Sequence, residues 1–324
     1  MTLAIAILNW NGKKWLEKFL PSVILHSSEA EIYVIDNAST DDSVEFIKAS
    51  FPAVKIIQNN SNCGFTEGYN RGLKSIQSEI YCLLNSDVEV TENWISPIIE
   101  VFSKDQNISA VQPKILDYNQ KNKFEFAGAG GGLIDNLGYP YCRGRVFDNI
   151  EFDNGQYDDE AQIFWASGCA LFIRSADFWK MNGFDERFFA HQEEIDLCWR
   201  LQNDGKKIYY TGKSKVYHVG GGTLNKENPQ KTYLNFRNNL SMMLKNLPAW
   251  KAFFILLFRL NLDGYASIYL AYKNGWRHIW AVFMAHVMFY CHLPKSIALR
   301  QKHQIDPYYQ TKWLMFKHFL GSKK

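Results

Sequence analysis

The sequence predicts an α/β protein whose mostly parallel central sheet is covered by helices on both faces and followed by a helical C-terminal extension. Three observations carry this. Short apolar runs of strand length alternate with amphipathic helical stretches over the first ninety residues. Each apolar run ends in polar, turn-forming residues. The chain has 324 residues, 47% hydrophobic and 21% charged, which is the composition of a folded chain with ample core to bury.

The elements follow in order. Leu3–Leu8 is a strand-length apolar run closing on Asn9-Trp10-Asn11-Gly12. Lys13–Val23 reads as a helix with Trp15, Leu16, Phe19 and Leu20 on one face. Glu31–Ile35 is the second strand and closes on Asp36-Asn37-Ala38-Ser39. Asp42–Ser50 reads as a helix opened by the capping-box pair Asp42 and Glu45, with Pro52 ending it. Val54–Gln58 is a third strand, Thr66–Ser75 a third helix, and Ile80–Leu84 a fourth strand closing on Asn85-Ser86-Asp87. In open parallel sheets a ligand sits beyond the carboxyl ends of the strands. Here all four ends are polar and two carry an acid, so they form a binding rim.

From about Asp117 to Glu160 the sequence is loop-rich. Its run Gly128–Gly132 lacks the strand–helix context and partner acid of a dinucleotide-binding loop, so the expectation is a flexible surface or acceptor-side loop. Regular structure resumes at Phe164–Ile173, and a helix begins near Glu193.

The tail from Tyr233 reads as helical. Its two most apolar stretches, Ala252–Phe258 and Ile279–Cys291, fall short of the roughly 20 residues a spanning helix needs. Lys251, Arg259, Lys273, Arg277, Lys295 and Arg300 interleave with Trp250, Trp276, Trp280 and Tyr290, the composition of helices lying in a membrane interface. A helical subdomain packed on the body is the alternative. From Lys245 onward 12 Lys and Arg face two acids, Asp263 and Asp306, whereas the preceding 244 residues hold 24 basic and 31 acidic residues. An acidic body with a basic aromatic tail fits an anionic membrane surface and not a nucleic acid. The 10 Trp, 17 Tyr and 23 Phe suit carbohydrate or interface contacts. Six scattered cysteines without a C-x-x-C pair argue against a disulfide scaffold or zinc ribbon and for a reducing cytoplasm. The start, which turns polar at Asn9, does not read as a secretory signal.

Two places carry chemistry. Asp87 and Glu89 lie two apart after a buried strand, so on an extended segment both carboxylates point one way and suit Mg²⁺ or Mn²⁺. Glu193, Glu194 and Asp196 crowd three acids into four residues at a helix start. Mutual repulsion there raises the proton affinity of at least one of them, as a base for a sugar hydroxyl requires. An acidic first turn favoured by the helix dipole is the plainer reading of the same residues.

Six collinear motifs, Asn9-Trp10-Asn11-Gly12, Val34 to Asp41, Asn62-Cys63-Gly64-Phe65, Gly68-Tyr69-Asn70, Leu84-Asn85-Ser86-Asp87 and Gly183-Phe184-Asp185-Glu186 through Glu193-Glu194-Ile195-Asp196-Leu197, give the chain a resemblance. From Leu3 to Asn239 it resembles glycosyltransferase family 2, in its bacterial rhamnosyltransferase-like branch. The resemblance implies a GT-A fold, with residues 1–110 as the nucleotide-sugar-binding half, 111–232 as the acceptor-binding half and 233–324 as the tail. It implies a UDP- or dTDP-linked donor held by Asn9, Asn11, Asp36, Asn37, Asn62, Gly64, Asn70, Asn85 and Ser86. Arg237 would neutralise the leaving group. Asp87, assisted by Glu89, would bind a divalent metal, Mg²⁺ or Mn²⁺. His218, in Val216-Tyr217-His218-Val219-Gly220-Gly221-Gly222-Thr223, would complete the metal shell. The mechanism implied is inverting single displacement. Where the family commonly has Glu-Asp-x-Asp, this chain has Glu193-Glu194-Ile195-Asp196, so Glu194 takes the place of the base, Glu193 is second choice, and Asp196 orients the helix or a neighbouring Arg. The expected activity is sugar transfer to a saccharide, lipid-linked or part of a surface-polysaccharide precursor, on the cytoplasmic face of a membrane. Two other classes fit the residues less well. A catalytically silent nucleotide-sugar-binding subunit would not need all these acids together. A nucleotidyltransferase would want a basic Gly-rich loop after the first strand.

Overall fold

The computed structural model describes residues 1–220 and 228–320; Gly221, Gly222 and Thr223 of the last motif lie outside the described residues. It opens with three β/α units and a fourth strand: β1 (Leu3–Asn9), α1 (Lys13–Leu25), β2 (Glu31–Asp36), α2 (Ser43–Ser50), β3 (Lys55–Gln58), α3 (Gly64–Leu73) and β4 (Ile80–Asn85). The strands pair in parallel in the order β3-β2-β1-β4. Alternation along a strand sends successive side chains to opposite faces. Leu3, Ile5 and Ile7 therefore join Leu16 and Leu20 of α1 in one core, while Ala4 and Ala6 join Tyr69 and Leu73 of α3 in the other.

The expected capping box does not form. The Asp42 carboxylate makes no capping hydrogen bond and lies 2.6 Å from Lys13 Nζ, while Asp41 Oδ1 accepts from the Ser43 N–H at 3.2 Å.

Beyond β4 come β5 (Val88–Val90), α4 (Ser96–Lys104) and β6 (Ile108–Asp117), then a small antiparallel sheet of β7 (Gly132–Ile134), β8 (Pro140–Cys142), β9 (Arg145–Val146) and β10 (Asn149–Ile150). The main sheet continues with β11 (Glu160–Ile163), β12 (Ala170–Arg174) and, after α5 (Ser175–Lys180) and α6 (Glu193–Asn203), β13 (Lys207–His218). β12 enters antiparallel between β4 and β6, and β13 runs parallel to β6 while pairing antiparallel with β5 and β11. The run Gly128–Gly132 is not a surface loop. A Cβ on Gly128 would fall 2.5 Å from Ile115, and one on Gly132 would collide with the Trp165 ring, so these glycines let the chain thread the core.

The C-terminal helices are α7 (Pro229–Asn246), α8 (Ala249–Asn274), α9 (Arg277–Cys291), α10 (Leu293–Ala298) and α11 (Leu314–Leu320). α7 belongs to the body: Leu240, Met242 and Met243 are buried in the core, and Lys245 pairs with Asp185 and Asp196. α8 is long and apolar enough, by length and composition, to cross a membrane. Two of the residues that interrupt its hydropathy, Arg259 and Asp263, face inward. Arg259 donates to the Leu137 carbonyl, Asn239 and Asp263, and Asp263 takes the second contact from His286 at 3.1 Å. Trp250, Phe253, Phe254, Leu257, Tyr265 and Tyr269 are left exposed on the other side.

Candidate active site

The rim forms where the parallel strands end. Asn9, buried at the end of β1, donates to Asp36 Oδ1 at 3.2 Å and to Ser39 Oγ at 3.1 Å. Its own Oδ1 is buried without a partner among the described residues, and a Cβ on Gly12 would fall 2.5 Å from it, so Gly12 keeps that space. Asp36 spends its second oxygen on the Ser39 N–H at 3.1 Å. Asn11, at φ 50°, receives the Thr40 N–H at 2.7 Å, which ties the first loop to the second. Asn37 donates to Asn62 Oδ1 and to the Gly64 carbonyl, both at 3.0 Å, and accepts from Asn59. Gly64 sits at φ 78° with the Phe189 ring where its Cβ would be, so only glycine fits there. These residues make one hydrogen-bonded floor.

Asn70 and Arg237 stand apart from it. The Asn70 amide is bound to the backbone of Phe184 on both sides and to Glu186, fixing α3 to that loop. Arg237 donates to the carbonyls of Arg187 and Phe188 and to Asn238, and no hydrogen bond or ion pair joins it to Asp87, Glu89 or His218 among the described residues.

At the end of β4, Asn85, Ser86 and Asp87 lead into β5. β5 pairs with the last residues of β13, Val88 against His218 and Glu89 against Tyr217. That register, closed by the Val219 N–H on the Asp87 carbonyl at 3.1 Å, sets His218 Nε2 3.1 Å from Asp87 Oδ1 and 3.4 Å from Asn85 Nδ2. Glu89 does not join them. Asp87 lies in a turn, so strand alternation does not align the two acids, and Glu89 pairs with Lys121.

A group that sequence reasoning missed completes the cluster. Glu125 is buried and its Oε2 faces His218 Nδ1 at 3.4 Å. Burial alone would push its pKa up, but His218, the Ala127 N–H and Arg145 outweigh that and hold Glu125 below the ordinary carboxylate range. Burial likewise opposes charge on His218, yet Cys169, Glu125 and Asp87 push its pKa well above the ordinary value. The signal was an acid set alone between Phe124 and Phe126, just before the Gly run.

Among the described residues no group of three His, Cys, Asp or Glu side chains converges on a metal position. Two ligands about 2.1 Å from an octahedral ion, in adjacent positions, lie about 3 Å apart. The 3.1 Å between Asp87 Oδ1 and His218 Nε2 fits that spacing. Mg²⁺-type sites with one or two protein ligands take their remaining positions from substrate phosphates and water.

The acidic cluster at the start of α6 divides its work. Asp196 is fully committed: it accepts from Arg200 at 2.8 Å, Lys245 at 2.9 Å and Asn246 at 3.0 Å, the orienting role expected of it. Glu193 and Glu194 each keep an Oε2 with no partner among the described residues. Burial, drawn back by the N–H groups of Ile195 and Gly168, leaves the Glu194 pKa pushed up to about 7. Burial and the charge of Glu194 push Glu193 up too. Burial therefore leads, and mutual repulsion comes second. Glu194 reaches the rim through Gly168, whose neighbour Cys169 gives its carbonyl to the Asn85 N–H at 3.0 Å.

An asparagine-rich rim over a mostly parallel sheet, with an Asp–His pair at its edge, is the arrangement of a GT-A type fold. A family model described as glycosyl transferase family 2 matches residues 4–177, more than half of the chain. The chain belongs to glycosyl transferase family 2 and is a glycosyltransferase acting on nucleotide-sugars. An N-acetylglucosaminyl-diphospho-decaprenol L-rhamnosyltransferase of Mycobacterium tuberculosis is 24% identical over 233 residues, 67% of this chain and 75% of that protein. The rhamnosyltransferase WbbL of Escherichia coli is 37% identical over 56 residues, 17% of this chain and 21% of that protein. Among solved structures, S. aureus TarS 1–349 matches with a TM-score of 0.57 at 15% identity, over 93% of this chain and 83% of that one. GalNAc-T7, solved with UDP, GalNAc and Mn²⁺, matches with a TM-score of 0.60 at 18% identity, over 78% of this chain and 49% of that one. These likenesses carry the fold.

Proposed function

We propose that this protein is an inverting, divalent-metal-assisted glycosyltransferase that moves one sugar from a UDP- or dTDP-linked donor to a saccharide acceptor, a lipid-linked or surface-polysaccharide precursor, at the cytoplasmic face of a membrane. The observation that carries the reading is the Asp87–His218 pair at 3.1 Å, with Glu194, one carboxylate oxygen of which is left without a partner among the described residues, as the candidate base.

Asn9, Asn11, Asp36, Asn37, Asn62 and Gly64 shape the seat of base and ribose, and Asn85 and Ser86 lead the chain to the diphosphate. Asp87 and His218 would hold Mg²⁺ or Mn²⁺, and Glu125 keeps the imidazole oriented from behind. A bound divalent ion supplies neutralisation of the charge that develops on the departing diphosphate. Glu194, at about pH 7 poised between its two forms, takes the proton of the acceptor hydroxyl. The freed oxygen attacks the anomeric carbon, and the bond from that carbon to the diphosphate breaks with its electron pair going to the nucleotide. The rhamnosyltransferase relative is named for a diphospho-decaprenol acceptor, which supports the lipid-linked class. The exposed aromatic face of α8, held along the body by the inward Arg259, supports docking in the plane of a membrane.

The test is transfer from a panel of nucleotide-sugars with and without Mn²⁺. The reading requires metal-dependent turnover with at least one UDP or dTDP donor, lost in Asp87→Ala and Glu194→Gln. Undiminished turnover in both variants would overturn it.

A further inference from the structure

Outside the rim, α7 and α9 enclose a groove of about 560 Å³, the size of a small-ligand site. Its α9 wall is a ridge at four-residue spacing, Trp276, Trp280, Met284 and Met288, and the next position on that ridge is His292. Its α7 wall is Gln230 and Tyr233, and the next turn is Arg237, whose Nη1 lies 3.3 Å from the Tyr233 hydroxyl. Both walls thus run to polar side chains at the same end, Arg237 and a His292 held neutral, while Arg277 lines the groove at the other end beside Trp276. Two more cations join Arg237 there: Lys295 on α10, and Arg187, whose Nη1 is held by Ser296 of α10 at 3.3 Å and whose carbonyl accepts from Arg237 at 2.8 Å. Asp185 pairs with Arg187 and Lys245; Arg237 and Lys295 have no carboxylate partner among the described residues. The cationic end also adjoins the acceptor side of the rim, because Asn238, beside Arg237, donates to the carbonyls of Phe188, Ala190 and His191, just ahead of Glu193 and Glu194. The closeness of the charges shows in His292, whose pKa is lowered by burial and by Arg237, Lys295 and Arg187.

An apolar trough ending in unpaired cations complements an amphiphile with a hydrocarbon tail and an anionic phosphate at one end. Resting on the function proposed above, we infer that this groove binds the lipid of the acceptor, a lipid diphosphate: the hydrocarbon lies along Trp276–Met288 and Tyr233, and the phosphates meet the cations Arg237 and Lys295, with the neutral His292 beside them as a hydrogen-bond donor. This gives Arg237 to the acceptor's phosphates and not to those of the donor. Trp276 and Trp280 at the mouth are exposed, as are the aromatic side chains of α8, so a membrane surface that meets them can deliver a lipid without its tail crossing water.

The experiment is calorimetric titration of the full chain with an isoprenyl diphosphate of three isoprene units, with no donor present. Binding is expected, weakened roughly tenfold or more by Met284→Asp, by Met288→Asp and by Lys295→Glu. The isoprenyl alcohol of equal length and inorganic diphosphate should each bind roughly tenfold more weakly. Trp280→Ala is the milder companion variant, and an unchanged nucleotide-sugar melt shows that each variant has folded. Unaltered affinity in the Met variants overturns the inference. So does equal affinity for inorganic diphosphate, which would place the probe at the donor site, or for a short-chain phosphatidylglycerol, which would make the groove a bilayer contact. Because the titration needs no turnover, it stands or falls apart from the proposed activity: sugar transfer with an indifferent groove sinks this inference alone, and tail binding without donor binding sinks the activity alone.

Discussion

At the scale of single residues, the site is read most sharply from which polar atoms are left without partners. Asp196 has its carboxylate filled by Arg200, Lys245 and Asn246, whereas Glu194 keeps one oxygen free, and that difference separates the structural acid from the candidate base. Spacing in the sequence put the three acids together but could not sort them, because two of the three partners that fill Asp196, namely Lys245 and Asn246, come from α7, 49 and 50 residues on. Glu125 escaped notice for the same reason: only the fold brings it against His218. Two outcomes follow for Glu194. The rate of transfer should rise with pH through about 7, as its carboxylate becomes the competent base, and Glu194→Gln should remove that limb together with roughly 10²–10⁴-fold of the rate while donor binding persists. Its raised pKa also costs stability. Below the unfolded value the acid is protonated in both states and nothing is lost; as pH rises toward 7 the unfolded chain ionises first and folding is penalised. Glu194→Gln should therefore leave the melting temperature unchanged near pH 4 and raise stability by about 1–3 kcal/mol at pH 8. Thermal melts at the two pH values check this, and an equal change at both would contradict it.

At the scale of elements, the parallel half was legible because each strand and helix there is defined locally, by an apolar period and a polar stop. Their observed ends differ from the expected ones by two residues or fewer. The second half was less legible. Its glycines look like a loop in sequence, yet they serve close packing against Ile115, Trp165 and Met243, contacts that come from distant segments. The capping box at Asp42 failed through a long-range partner too, Lys13. α7 is the element whose role the sequence disguised most, since it begins the tail in sequence but builds the body in space. Asn238 on α7 fastens three carbonyls of the 188–191 loop, so Asn238→Ala strands them and should cost about 1–3 kcal/mol, with a fall in kcat larger than the change in donor KM. Urea melts and steady-state kinetics test this; unchanged kcat would mean that the loop does not depend on α7.

At the scale of the whole molecule, the charge asymmetry seen in the sequence becomes a surface. The body carries the acids and the rim, and the last helices present aromatic side chains outward with basic residues among them. Cutting the chain at Lys245 is a poor probe of that surface, because Lys245 is buried against Asp185 and Asp196. Changing Phe253, Phe254 and Leu257 to Ser removes exposed apolar area alone. It should release the protein from anionic vesicles in a flotation assay and leave the melting temperature within about 1 °C. Retained flotation would argue that these helices serve only as a subdomain. The central claim concerns the rim, and one measurement reaches it most directly: thermal melts of the wild type and Asp87→Ala across UDP- and dTDP-sugars, each with and without Mn²⁺. At 100 times its dissociation constant a donor adds about 2.7 kcal/mol of stability. The account predicts such a shift for one donor, dependent on Mn²⁺ and absent in Asp87→Ala. A shift of equal size in the variant, or one indifferent to metal, would contradict the assignment of Asp87 and His218.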